Sequence, residues 1–240
     1  MLAIETKNLT KIYKEKVAVG GINLKINQGE LFALLGTNGA GKTTTIKMLS
    51  TLILPTDGEI KINGLDIVKD RQKVKEILNV SPQETAIAPN LSVKENLEFM
   101  AGVYQISNKQ EKINELIKMF KLDDVLNQKA KTLSGGWQRK VSIAISLINE
   151  PQILFLDEPT LGLDVIARKE LWAVIENLKG KITIILTTHY MEEAESLSDR
   201  IGIMAKGNLI AVGTSKELTE QSDSKNFEDA FVKIATGGEF

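Results

Sequence analysis

Apolar and polar positions alternate at the start of the chain. Leu2, Ile4 and Thr6 are separated by more polar neighbours, and Ile22, Leu24 and Ile26 repeat the pattern, which is the period of half-buried antiparallel strands. Asn27-Gln28-Gly29-Glu30 reads as a turn into Leu31 to Leu35, an apolar run of strand length. Thr43 to Leu52 can be helical. Pro55-Thr56-Asp57-Gly58 then marks another turn, followed by Glu59 to Asn63 as a short strand closed by Gly64,. A small β layer is therefore predicted around the segment that follows Leu35.

The period changes in the middle of the chain. Ser92 with Glu95 and Ser107 with Gln110 have capping-box spacing, each opening a helix,. Val93, Leu97, Met100 and Tyr104 share one face of the first, and Ile113, Leu116, Ile117 and Phe120 share one face of the second,. The block from about 84 to 133, or to about 150 with the apolar-faced segment Val141 to Ile148, reads as a helical insertion. Strands and helices alternate again from Pro151. Ile153 to Leu156 and Ile182 to Thr188 suit buried parallel strands, separated by a helix near Val165 to Leu178,. Ile201 to Met204 and Leu209 to Val212 suggest a hairpin with a Gly207-Asn208 turn,. Glu220 to Asn226 is polar and predicted flexible, and Phe227 to Ala235 predicts a last short helix. The fold expected is α/β with a mostly parallel sheet, an N-terminal antiparallel β layer and a helical insertion. Residues 1–219 would form the domain and 220–240 a short tail.

Composition removes several function classes. Thirty basic against 31 acidic residues leave a net charge of −1, so no global field attracts nucleic acid, and no nucleic-acid partner is expected. With no cysteine, disulfides, thiolate catalysis and Cys-ligated metals are excluded. Met1 to Lys7 lacks the basic start and long apolar core of a signal peptide,. No run approaches the roughly 18 apolar residues of a spanning helix, so a membrane role would need a partner.

The chemistry is concentrated in a few stretches. Gly36-Thr37-Asn38-Gly39-Ala40-Gly41-Lys42-Thr43, with Thr44 behind it, fits G-x-x-x-x-G-K-[ST] between a strand and a helix,. Glycines at 36, 39 and 41 would allow positive φ and turn backbone N–H groups toward phosphates. The helix start adds its positive end. Lys42 would reach the β and γ phosphates, and the Thr43 hydroxyl would ligate Mg²⁺. Asp157-Glu158 follows an apolar strand, placing a metal carboxylate and a general base where strands of an open sheet end,. Ser134-Gly135-Gly136 offers a hydroxyl and open amides to an anion, although the same residues also make a good N-cap. His189, the single histidine, follows another apolar strand. It is placed either as a satisfied structural residue or as a contact to a γ phosphate.

Together these residues resemble the ATP-binding cassette family, the ATPase modules of ABC transporters, built on a P-loop NTPase core. Gly36 to Thr43 looks like its Walker A motif, Ile153 to Glu158 its Walker B and Leu133 to Gly136 its signature. Gln83 resembles the Q-loop glutamine, Leu161-Gly162-Leu163-Asp164 the D-loop and His189 the switch histidine. Tyr13 matches the aromatic that stacks on adenine. The motifs stand in family order over roughly residues 2 to 215. The resemblance implies ATP and Mg²⁺ as cofactors, with Gln83 sensing Mg²⁺ or water. It also implies a head-to-tail dimer, here a homodimer, in which Ser134, Gly135, Gly136 and Asp164 complete the second copy's site.

The helical block would carry motion to an integral membrane permease, with the chain peripheral on the cytoplasmic face of the cell membrane. Asn226 to Gly237 is similar to the tail of exporter cassettes. The alternative is a soluble cassette ATPase of an assembly system, of the iron–sulfur scaffold type. Trp137 departs from the glutamine usual after the signature glycines. Gly237-Gly238-Glu239-Phe240 spells a nucleotide-cyclase motif, read as coincidence because no domain follows it.

Overall fold

The computed structural model describes residues 1–238. Glu239 and Phe240, which end the tail and the Gly237–Phe240 motif, lie outside the described residues. In chain order the elements are β1 (Leu2–Tyr13), β2 (Lys16–Asn27), β3 (Leu31–Gly36), α1 (Lys42–Leu49), β4 (Asp57–Ile62), β5 (Leu65–Asp66), α2 (Arg71–Ile77) and β6 (Leu78–Ser81). There follow α3 (Val93–Val103), α4 (Lys109–Phe120), α5 (Gly135–Ser146), β7 (Ile153–Asp157), α6 (Val165–Leu178), β8 (Thr183–Thr188) and α7 (Met191–Leu197). The chain closes with β9 (Arg200–Ala205), β10 (Asn208–Gly213), α8 (Ser215–Gln221) and α9 (Phe227–Thr236).

Two sheets form. One is four-stranded in the order β2-β1-β4-β5, and the other six-stranded in the order β10-β9-β3-β8-β7-β6. Strands β9, β3, β8, β7 and β6 run parallel, and only the edge strand β10 is antiparallel. This is the mostly parallel α/β fold with an antiparallel β layer that the patterning predicts. The reason lies in β3, whose residues are buried throughout. Leu31, Ala33 and Leu35 join one core with Leu97 of α3, Leu116 of α4, Ile143 of α5 and Leu171 of α6. Phe32 and Leu34 join a second with Ile4 and Ile26 of the antiparallel sheet and Ile46 and Leu49 of α1. Continuous apolar strands are what a sheet covered on both faces requires.

Several local expectations need correction. The Ser107 capping box is absent: Asn108 is the N-cap of α4, because Lys112 N–H makes the first helical bond to Asn108 O. Ser107 stands within the turns that follow α3, which ends where Gln105 takes φ 53°. The Ser92–Glu95 box is present in full. α1 stops at Leu49 instead of Leu52, since Thr51 takes φ 62° and Leu52 and Ile53 N–H both turn back to Lys47 O. The hairpin turns on Lys206-Gly207, both at positive φ (48° and 83°), while Asn208 already pairs with Ala205. A two-residue turn of that hand needs both central residues left-handed.

Glu220 and Gln221 end α8, and residues 222–226 make the short connection to α9. Thr214 and Glu217 form a capping box that opens α8, and the Ser222 carbonyl accepts from Lys233 Nζ on α9.

Gly36 also differs from expectation. Its φ is not positive, whereas Gly39 and Gly41 stand at φ 83° and 102°. Gly36 is needed for close approach: a Cβ there would lie 2.4 Å from Met204 O on β9. Gly36→Ala should therefore lower stability by about 1–3 kcal/mol through overpacking, read from urea midpoints. An unchanged midpoint would show that β9 can yield.

Candidate functional site

Because β3, β6, β7 and β8 are parallel, their carboxyl ends lie on one edge of the sheet. Leu35 stands opposite Thr188, Asp157 opposite Thr187 and Ser81 opposite Leu156. The glycine loop, Pro82-Gln83, Asp157-Glu158 and His189 therefore emerge together, where open α/β sheets bind ligands.

Lys42 folds back under the loop. Its Nζ donates to Gly36 O at 2.8 Å and Thr37 O at 3.3 Å, and lies 3.2 Å from Glu158 Oε1. Both side chains are buried. The N-terminus of α1 is capped by Gly41, with no side-chain bond and no acid in the first turn. Its leading amides and partial positive charge are thus offset by no acid of its own first turn,.

Glu158 takes φ 48°, unusual for a residue with a Cβ. Two bonds hold it there, from its N–H to the carbonyl and to the hydroxyl of Thr187. Its second carboxylate oxygen lies 2.7 Å from His189 Nδ1. One buried acid thus stands between a lysine and a histidine. Beside it, Asp157 Oδ1 accepts from Thr43 Oγ1 at 3.1 Å and from Thr187 Oγ1. A hydroxyl and a carboxylate are hard oxygen donors that suit Mg²⁺, which is usually held by one or two carboxylates together with phosphate oxygens. Among the described residues no group of three or more His, Asp or Glu side chains is arranged to hold a metal ion by itself.

A cleft of about 790 Å³ opens above these groups. Tyr13, the loop from Asn38 to Thr44, Gln83, Glu158 and His189 line it. Tyr13 ends β1, half exposed, with Lys11 Nζ 5.4 Å from its ring centre. Gly36 and Thr37 are not in the lining; their carbonyls hold Lys42.

Ser134, Gly135, Gly136 and Asp164 are not brought to this cleft. They stand at the starts of α5 and α6. Asp164 Oδ1 caps α6 by accepting from Ile166 and Ala167 N–H, each at 2.9 Å. Gly136 packs against Ala167, 3.3 Å from where its own Cβ would be. Ser134 is the N-cap of α5 but makes no side-chain bond to the helix, leaving an exposed hydroxyl uncommitted. Trp137 packs on the core beneath Lys140, whose Nζ lies 4.5 Å from the ring centre.

A buried parallel sheet that passes from β3 through a glycine loop into a helix belongs to the P-loop nucleoside triphosphatase class. Comparison with known proteins then gives the family. The family described as ABC transporter matches residues 19–161, and the chain belongs to it. Linearmycin resistance ATP-binding protein LnrL of Bacillus subtilis is 38% identical over 238 residues, 98% of this chain and 75% of that protein. Human phospholipid-transporting ATPase ABCA3 is 41% identical over 224 residues, 91% of this chain but 13% of that protein. The chain thus spans a small part of some curated relatives it matches. A solved dimer, the post-hydrolysis state of the ATP-binding cassette MJ0796 bound to ADP and Pi, superposes with a TM-score of 0.80 at 28% identity. That match covers 88% of this chain and 98% of that one.

Sequence reasoning missed Thr187, Arg139 and Glu193. Thr187 sits inside a run that reads only as strand, and the other two are acid and base on helices whose burial no local pattern reveals. Glu193 on α7 is fully buried. Its Oε1 accepts from Thr160 Oγ1 at 2.8 Å and Trp172 Nε1 at 3.0 Å, while Oε2 finds no hydrogen-bond partner among the described residues. Burial pushes this carboxyl above the ordinary value of 4.5, against those hydrogen bonds. A carboxyl whose pKa is higher folded than unfolded contributes stability below its unfolded pKa and loses it as pH rises through the folded value. Glu193→Gln keeps the accepting oxygen and removes the titration. The variant should gain stability relative to the parent as buffer moves from mildly acidic to mildly alkaline, read from urea midpoints. A constant difference would contradict the assignment.

Proposed function

We propose that this chain is the ATP-binding and ATP-hydrolysing cassette of an ABC transporter, working as a homodimer on a separate membrane permease in the export direction. The observation that carries the proposal is Glu158, buried between Lys42 and His189 beneath the glycine loop. Tyr13 offers a stacking face to the adenine. The amides of Asn38 to Thr44 and the start of α1 receive the phosphates, with Lys42 as the cation for the β and γ groups. Thr43 and Asp157 would hold Mg²⁺, with Gln83 facing the same cleft, and the ion when bound neutralises charge developing on the phosphates. Glu158 accepts the proton of the attacking water. His189, through its 2.7 Å contact, fixes the direction of that carboxylate and contacts the γ phosphate.

The uncommitted Ser134 hydroxyl and the amides of Gly135 and Gly136, with Asp164 beside them, would complete the site of a second copy. The solved cassette that is dimeric with ADP and Pi supports the pairing of two chains; in this reading ATP closes them and departure of the hydrolysis products lets them part. Export is supported by the names of LnrL, a resistance protein, and ABCA3, a phospholipid transporter. The assembly alternative finds no such support in them. Residues 1–219 form the cassette in this reading, with 84–150 as the block that moves and 220–240 as a tail.

No helix among the described residues is long and apolar enough to cross a membrane. The chain would therefore sit peripherally on the cytoplasmic face of the membrane through its permease. A groove of about 730 Å³ combines an apolar floor, Leu52, Val80, Pro82 and Ile106, with Tyr104 and polar side chains that include Lys75 and Glu76 of α2. It would seat a short amphipathic segment of that permease.

Two experiments test the reading. Glu158→Gln should still bind ATP, lose hydrolysis by about 10²–10⁴-fold and accumulate an ATP-bound dimer on size exclusion; near-normal turnover removes Glu158 from the role of base. Tyr104→Asp, at a half-exposed position, should leave the ATPase of the isolated chain intact and abolish co-purification with the membrane protein encoded beside it. Undiminished co-purification would place the contact elsewhere.

A further inference from the structure

Arg139 is a buried cation that the proposed chemistry does not use. It lies on α5, five positions beyond Ser134, and only 4% of it is exposed. It forms no ion pair among the described residues. Its guanidinium instead donates to two consecutive backbone carbonyls, to Pro82 O at 2.7 Å and to Gln83 O by a shorter bond. Burial disfavours its charge, with Asp157 and Glu193 offsetting part of the cost through space. Two charge-assisted bonds from one planar head fix orientation as well as distance. Removing them would strand a buried charge, so the head and the Pro82-Gln83 peptide are held together as one body.

Two further contacts show how α5 is held. Ser142 Oγ lies 3.3 Å from Ser81 Oγ at the end of β6, a second link to the strand that delivers Gln83. Lys140 Nζ pairs with Glu170 on α6 at 2.6 Å. The Gln83 side chain lines the phosphate cleft, whereas Ser134 at the other end of the same rigid turn-and-a-half of helix does not.

We infer that Arg139 is a positioning residue that links the two composite sites of the dimer. Through it, engagement of Gln83 by nucleotide on its own phosphate loop sets the attitude of the Ser134 edge presented to the second copy's nucleotide. The inference rests on the dimeric reading above and adds to it a physical route for cooperativity within each chain. The warrant is mechanical: a helix cannot bend appreciably between positions 134 and 139 without breaking its own bonds, so a displacement at the guanidinium appears at the N-cap.

The test uses the full chain. Arg139→Met keeps the unbranched apolar stem and leaves no cation buried, while removing the donors to the Pro82 and Gln83 carbonyls,. Arg139→Lys keeps the charge but offers an ammonium in place of the planar fork. ATP affinity of single chains, measured with a fluorescent ATP analogue at dilute protein, should remain within about twofold of the parent in both, because neither substitution touches the cleft.

In a Glu158→Gln background, the ATP concentration needed for the dimer should rise about tenfold for Arg139→Met and less for Arg139→Lys, as expected on losing both or one of two charge-assisted bonds. With Glu158 intact, the Hill coefficient for ATP hydrolysis should fall toward one in the same order. Unchanged dimerisation thresholds and Hill coefficients would overturn the inference, and if the Met variant does not fold, a Lys variant that behaves as the parent does so alone. Failure of Glu158→Gln by itself to dimerise on ATP would instead remove the dimeric reading, and the inference with it. A general loss of affinity in single chains would assign Arg139 a merely structural role.

Discussion

Everything in this molecule depends on a parallel sheet that is buried on both faces. Helices cover one side of β3, β7 and β8, and the antiparallel sheet with α1 covers the other. A polar side chain along such strands must find a hydrogen-bond partner inside the protein, as Thr187 does,. Polar chemistry is concentrated at their ends, and parallel pairing puts those ends on one edge. Gly36, Asp157, Glu158 and His189 are neighbours for that reason, although more than 150 residues separate the first from the last.

At that edge the problem becomes electrostatic. Lys42, Glu158 and His189 sit within 3.2 Å contacts of one another, with Glu158 common to both pairs. Lys42 and His189 each engage one carboxylate oxygen, which makes burial of the acid tolerable. The backbone strain at Glu158 is held by Thr187, whose hydroxyl also reaches Asp157. A single threonine therefore ties the Asp157 carboxylate and the Glu158 backbone together. Strain persists only where surroundings over-determine it, and here the surroundings are the site itself.

The signature edge shows the opposite arrangement. Ser134 and Gly135 are exposed, Ser134 spends no hydroxyl on its own helix, and neither reaches the cleft of the same chain. In the proposed dimer this edge would complete the site of the second copy. The carbonyls of Pro82 and Gln83, tied to Arg139, join that outward edge to the inward one. In the proposed dimer the chain would carry two half-sites joined through Arg139.

How much of this was legible in the sequence follows from how local each cause is. Gly39, Gly41, Lys42 and Thr43 form a contiguous loop, so spacing alone revealed it. The apolar runs of β3, β7 and β8, the Ser92 capping box and the final helix likewise depend on residues a few positions apart. Gly36 could be read as a glycine but not for the right reason: its requirement comes from Met204, far along the chain. Thr187, Glu193 and Arg139 were invisible because a threonine in a strand or a charge on a helix looks the same whether it faces water or a buried partner. The sequence by itself determined the periodicities, the phosphate loop and the family. Only the tertiary structure decided which buried polar groups meet, because those contacts are set by sheet register and helix packing, which bring together residues that no local pattern relates.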